Sequence, residues 1–154
     1  MGLDMYLYKK TFLFTGEWVR EEKRCEVTVT EGGKPHPFIK PERIKEIVEE
    51  VGYWRKANQI HKWFVDNVQD GQDDCKEYSV DDEQLRDLLN ICEEVLGDHN
   101  KAETLLPTGS GFFFGSTDYD EYYFEQIQNT YDILMSIMSA EDYDVQSYIY
   151  QSSW

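Results

Sequence analysis

The sequence predicts an α+β fold: a small, mostly antiparallel sheet made from the two chain ends and covered by three or four helices. Three observations carry this expectation. Aromatic-rich, partly alternating segments stand at the two ends, near residues 3–14 and 145–151. Between them lie segments with apolar residues at helical spacing, some with clear start and stop signals. Strands and helices do not alternate regularly, so a parallel sheet is not expected. At 154 residues the chain is about one domain's worth, and it is read as a single domain over 1–154.

Leu3 to Phe14, with Met5, Tyr6, Leu7 and Tyr8 and then Phe12 and Leu13, reads as one or two strands. Residues 16–24 are charged and irregular, a loop or a frayed hairpin. Cys25, Val27 and Val29 alternate with Glu26, Thr28 and Thr30, the pattern of a half-buried strand. Glu31-Gly32-Gly33-Lys34 reads as a turn. Pro35 and Pro37 keep helix out until Pro41, which suits a first helical turn. Ile44, Ile47, Val48 and Val51 then predict a helix that Gly52 stops or kinks. A second helix is predicted from about Tyr53 to Val68, with Ala57, Ile60, Phe64 and Val68 as its apolar stripe and Asp70-Gly71 beyond its end. A short strand is expected near Cys75–Val80.

Asp81 has the signature of an N-cap, with Gln84 three residues on and Val80 placed to staple onto Leu85. Leu85, Leu88, Leu89, Cys92, Val95 and Leu96 complete that helix, and Gly97 ends it. Residues 98–111 form a loop. Phe112, Phe113 and Phe114 predict a short buried strand or an anchored turn. Thr117 or Asp118 then caps a long helix to about Met138, with Phe124, Ile127, Tyr131, Leu134 and Met138 inward. Val145, Ser147, Ile149 and Gln151 alternate with Gln146, Tyr148 and Tyr150, which predicts a last strand beside the first.

Charge is the strongest compositional fact. Fifteen Lys/Arg against 31 Asp/Glu give a net −16, which repels nucleic acid and anionic membrane and favours a basic partner. The charge is uneven. Residues 1–65 hold 12 basic and 10 acidic residues, +2; residues 66–154 hold 3 and 21, −18. With 40% apolar and 15% aromatic residues this is not a disordered acidic chain. No apolar run approaches a membrane span, and the opening Met1-Gly2-Leu3-Asp4 has no basic region followed by an apolar one, so a cytoplasmic protein is expected. Cys25, Cys75 and Cys92 are odd in number and far apart, with neither a disulfide framework nor a zinc spacing. No cofactor, metal or catalytic residue is assigned.

Two constellations stand out. On a helix, Trp54, Asn58, His61 and Val65 would share one stripe, with Arg55 on the next. Trp54, Arg55, Asn58 and His61 therefore form a candidate pocket for a carboxylate or phosphate, or a proton-transfer site. The plainer reading is a helix whose His and Asn bond a loop while the Trp residues pack. Asp73-Asp74-Cys75 downstream of His61 invites a Cys–His or metal site, but nothing fixes a third group. The second constellation is acidic: Asp82, Glu83 and Asp87 on one helix, and Asp118, Asp120, Glu121, Tyr122 and Glu125 at the start of another. Carboxylates held at helical spacing imitate a row of phosphates, against the plainer reading of a solvated face.

The opening Met1-Gly2-Leu3-Asp4-Met5-Tyr6-Leu7, the block Gly52-Tyr53-Trp54-Arg55-Lys56-Ala57-Asn58 with Ile60-His61 and Trp63-Phe64, and the block Gly111-Phe112-Phe113-Phe114-Gly115-Ser116-Thr117 resemble a family of small acidic phage and prophage proteins. The resemblance carries over no activity, ligand or residue role. It implies a mobile-element origin and a host cytoplasm. Taken with the charge, it leads to an expected non-enzymatic interaction protein. Such a protein would inhibit a basic, nucleic-acid-handling host protein by imitating nucleic acid, as anti-restriction and anti-CRISPR proteins do. The alternative is the small-ligand or enzymatic pocket around Trp54, Arg55, Asn58 and His61.

Overall fold

The two ends of the chain lie side by side at the centre of one sheet. The computed structural model describes residues 2–139 and 146–154. Its main elements are β1 (Asp4–Phe12), β2 (Thr30–Glu31), β3 (Lys34–Pro35), β4 (Glu46–Arg55), α1 (Asn58–Asn67), β5 (Tyr78–Val80), α2 (Asp82–Gly97), α3 (Ala102–Leu105), α4 (Glu121–Met138) and β6 (Gln146–Ser153). The strand order is β4-β1-β6-β5, and every pairing is antiparallel. The predicted α+β class, with its end-to-end sheet and covering helices, is the observed one. Val145, expected in the last strand, lies outside the described residues.

Alternation decides which side of the sheet is covered. Leu3, Met5 and Leu7 of the first segment are buried, as are Tyr148, Tyr150 and Ser152 of β6 and Trp54 of β4. The helices pack on this side. Phe64 of α1 stacks on Tyr150 with ring centres 3.9 Å apart. Trp54 Nε1 donates to Thr130 Oγ1 of α4 at 2.8 Å. The other side carries Tyr6, Tyr8, Tyr53 and Ile149, all partly open to solvent. Helices α2 and α4 run antiparallel: His99, just past α2, stacks on Phe124 at 3.7 Å, while Asp82 and Leu85 share a crevice with Ile137 and Met138. No helix among the described residues is long and apolar enough to cross a membrane.

Helix α2 forms as expected. Asp81 Oδ1 accepts from Gln84 N at 2.7 Å, and Asp81 N donates to Gln84 Oε1 at 3.0 Å, so both halves of the capping box are made. Val80 and Leu85 are both buried in the core.

The helix predicted after Pro41 is not formed. Pro41–Arg43 is a single 3-10 turn, and residues 46–55 are strand β4. Ile47 and Val48 are exposed, so a helix there would have no apolar face to bury. Pairing along the whole of β1 supplies the backbone bonds instead, and β-branched residues suit it. The register slips between Leu7 and Tyr8, leaving Val51 as the extra residue of a bulge. Gly52 does not stop a helix; it lets the strand pass under Trp54 and Ile133. A Cβ there would stand 2.8 Å from Trp54 and 3.1 Å from Ile133.

The second helix is shorter than predicted, because Tyr53, Trp54 and Arg55 belong to β4. The strand predicted over 25–30 is reduced to Thr30–Glu31 paired with Lys34–Pro35 around Gly32 and Gly33, both at positive φ. Residues 25–29 keep an alternating burial but lie in no ladder. The strand near 75–80 covers only Tyr78–Val80. The three phenylalanines make an anchored turn: Phe113 O accepts from Leu3 N, while Phe112 is 94% exposed. The cap of α4 is Asp120, not Thr117 or Asp118, and it accepts from Tyr123 N at 3.0 Å. Tyr123, Ile127, Thr130 and Leu134 are the buried stripe of α4; Phe124, Tyr131 and Met138 are half-buried.

Two substitutions check this account. Asp81→Ala removes the cap of α2 and is expected to cost about 1 kcal/mol, read by chemical denaturation. Gly52→Ala is expected to cost about 1–3 kcal/mol by overpacking against Trp54 and Ile133. An unchanged midpoint for Gly52→Ala would contradict the close approach of α4 to β4.

Candidate functional site

The acidic residues of α2 and α4 are on the surface because each of these helices buries only one stripe. Of the 18 Asp and Glu between residues 66 and 132, all but Asp74 are exposed. Lys62 pairs with Asp66, Lys76 with Asp74, Lys10 with Glu77 and Lys101 with Glu94. Among the described residues, Asp82, Glu83, Asp87, Glu93, Glu103, Asp118, Asp120, Glu121, Glu125 and Asp132 have no cationic partner.

The two expected acidic sets lie at opposite ends of the α2–α4 pair. Asp82, Glu83 and Asp87 sit on the first turns of α2, beside the end of α4. Asp118, Asp120, Glu121, Tyr122 and Glu125 sit at the start of α4, beside the end of α2. The 16 residues of α2 separate them by about 24 Å at 1.5 Å per residue. Glu93, Glu94, Glu103 and Asp132 lie on the elements between them. Two of the expected contact residues also have structural work: Asp120 caps α4, and Tyr122 OH donates to Arg55 O at 3.0 Å.

The four residues of the alternative pocket do not converge on a space. Trp54, Asn58 and His61 are buried, and their polar atoms are engaged by the protein. Asn58 Nδ2 donates to Phe114 O and Ser116 O at 3.0 and 2.8 Å, and its Oδ1 accepts from Gly109 N at 3.0 Å. One side chain therefore pins the whole 109–116 loop onto α1. Arg55 stands apart, with its side chain exposed 3.9 Å from Asp4. The crevice that Asn58 lines, with Lys56, Ser116, Asp118 and Asp120, has a volume of about 10 Å³, far below the size of a ligand pocket.

His61 sits in a relay of which the sequence suggested the nearby 73–75 segment but not Tyr150. Its Nδ1 lies 2.7 Å from Tyr150 OH and its Nε2 lies 2.9 Å from Asp73 Oδ1. Burial pushes the Tyr150 phenol well above its ordinary range, so it keeps its proton and donates it to Nδ1. The remaining proton is then on Nε2, aimed at the carboxylate. Burial also lowers the His61 pKa, and the nearby Asp73 only partly opposes this, so the imidazole is neutral at pH 7. Trp154 Nε1 donates to the same Asp73 oxygen at 3.2 Å. The relay thus ties α1, the 73–75 loop and the C-terminal strand together. Cys75 is exposed and takes no part, and Asp74 turns away to Lys76 and Tyr78.

A buried neutral His makes stability fall with acid. Its folded pKa is below the unfolded 6.5, so the unfolded chain binds the extra proton first. Stability is complete above pH 6.5 and falls below it by up to about 1.4 kcal/mol per pH unit, until the folded pKa is reached. Melting of the wild type and of His61→Gln between pH 7.5 and about 5.5 checks this, since unperturbed carboxylates titrate lower. The slope is expected in the wild type and not in the variant; equal slopes would contradict a neutral His61. Comparison with family models, curated proteins and solved structures finds no match to this chain.

Proposed function

We propose that the chain is a non-enzymatic interaction protein that presents its carboxylates to the nucleic-acid-binding surface of a basic host protein and inhibits it by occupying that surface. The observation that carries this reading is the row of exposed acids without cationic partners along α2, α4 and the loops that join them. Such acids raise the folding cost through mutual repulsion, and a basic partner offsets that cost on binding. The helices hold the backbone that carries the charges in place, so little backbone ordering is added at the interface. The likeness to phage and prophage proteins suggests a defence enzyme as the partner, in the manner of anti-restriction or anti-CRISPR inhibitors.

The alternative, a ligand or catalytic site at Trp54, Arg55, Asn58 and His61, has less to support it. Their buried polar atoms already have protein partners, and the space beside Asn58 is small.

The test uses the intact chain as bait in host lysate at low and high salt, followed by release with duplex DNA. Asp118→Asn, Glu121→Gln and Glu125→Gln together remove three charges and leave the Asp120 cap in place. The captured protein is expected to be nucleic-acid-binding and to be displaced by DNA. Its affinity for the triple variant is expected to be lower, with a shallower dependence on salt. Capture that DNA does not displace, or that the triple variant leaves unchanged, would overturn the mimicry.

A further inference from the structure

We infer that the crevice between α1 and α2 is a receptor for an arginine side chain of the partner. This rests on the reading of a basic partner and names one anchor that such a partner would use. The crevice has a volume of about 360 Å³, within the range of ligand pockets. It is lined by Trp63 and Asn67 of α1 and by Gln84, Asp87, Asn90 and Ile91 of α2.

Its chemistry is that of a hydrogen-bond acceptor with an apolar wall. Asn67 Nδ2 donates to Trp63 O at 2.8 Å, and Gln84 Nε2 donates to Asn67 O at 2.8 Å. Those two amides therefore spend N–H groups on the backbone of α1. The Gln84 oxygen is held by Asp81 N in the capping box, which fixes that wall of the crevice. The Asn67 side-chain Oδ1, the Asp87 carboxylate and the Asn90 side chain have no hydrogen-bond or ion-pair partner among the described residues. The neighbouring cation, Arg86, lines a different crevice with Asp82, Leu85, Ile137, Met138 and Tyr148, so it does not neutralise Asp87.

A guanidinium fits this set better than other charged groups. It is planar, carries five donors in a fixed fork, and tolerates desolvation against an aromatic surface. Asp87 supplies the countercharge, and the Asn67 and Asn90 oxygens can accept from the outer N–H groups. The alkyl stem can lie on Ile91 and the open part of Trp63, which is 7% exposed. A lysine would use the carboxylate but not the fork. A phosphate or carboxylate ligand would face Asp87 in a chain of net charge −16.

The test is a titration of the full chain, at low salt, with N-acetyl-arginine amide and separately with N-acetyl-lysine amide. Calorimetry gives the affinity, and the amide and indole NMR signals of residues 63–91 give the location. Saturable one-to-one binding of the arginine compound is expected, with shifts at Trp63, Asn67 and Asn90 and weaker binding of the lysine compound. Asp87→Asn, an exposed and isosteric change, is expected to weaken it about tenfold or more. The triple α4 variant is expected to bind it as the wild type does. No saturable binding, equal affinity for the lysine compound, an unaffected Asp87→Asn, or an equal loss in the α4 variant would each overturn the arginine receptor. The mimicry can fail in the lysate experiment while this binding persists, so the two failures are distinguishable.

Discussion

Hydrogen bonding of β1 on both of its edges is the constraint from which the rest of the structure follows. Asp4–Phe12 pairs with β4 on one side and with β6 on the other, so residues from both chain ends and from the middle meet in one layer. Met5 lies between Trp54 and Ser152 in the register, and Leu7 lies between Gly52 and Tyr150. That row forms the floor on which Phe64 stacks and to which Thr130 is bonded. The positions of α1 and α4 are set by these contacts, and α2 is set by its packing on α4.

The same arrangement explains why the acids stay outside. Helices α2 and α4, which each bury one stripe, leave the remainder of their circumference in water, where Asp and Glu cost nothing in desolvation. What remains is mutual repulsion, which salt screens over about 10 Å at 0.1 M. The structure is therefore held by buried aromatic and aliphatic contacts working against its own surface field. Buried polar bonds such as those of Asn58 and His61 fix how the loops sit on that core.

Legibility in the sequence follows the distance over which each element is decided. Helix α2 was readable because Asp81, Gln84 and the leucine stripe all act within the helix itself. Strand β4 was not: Ile44, Ile47, Val48 and Val51 fit a helical stripe as well as a strand, and only the neighbouring edge of β1 decides between them. The fold class was readable because both chain ends alternate visibly. The acidic residues were readable from composition, but their division between the two ends of an antiparallel helix pair required the α2–α4 packing. Phe114 and Tyr150 were hidden as partners of Asn58 and His61 because they lie 56 and 89 residues away. The oxygen-rich crevice was hidden for a similar reason, since nothing in the sequence says which turns of α1 and α2 face each other.

The bulged hairpin of β1 and β4 runs on beyond the helices, and every residue from Glu46 to Glu50 is exposed. Residues 13–45, which close it, touch the sheet mainly through that hairpin: Leu13 N bonds to Lys45 O at its base. Chain continuity through this arm is therefore not what holds the body together. A break near its exposed Gly32-Gly33 turn would leave a short N-terminal piece carrying β1, clasped between β4 and β6 of the longer piece. In such a nicked protein the pairing of β1 with β4 and β6, rather than the arm, would hold the N-terminal piece in place.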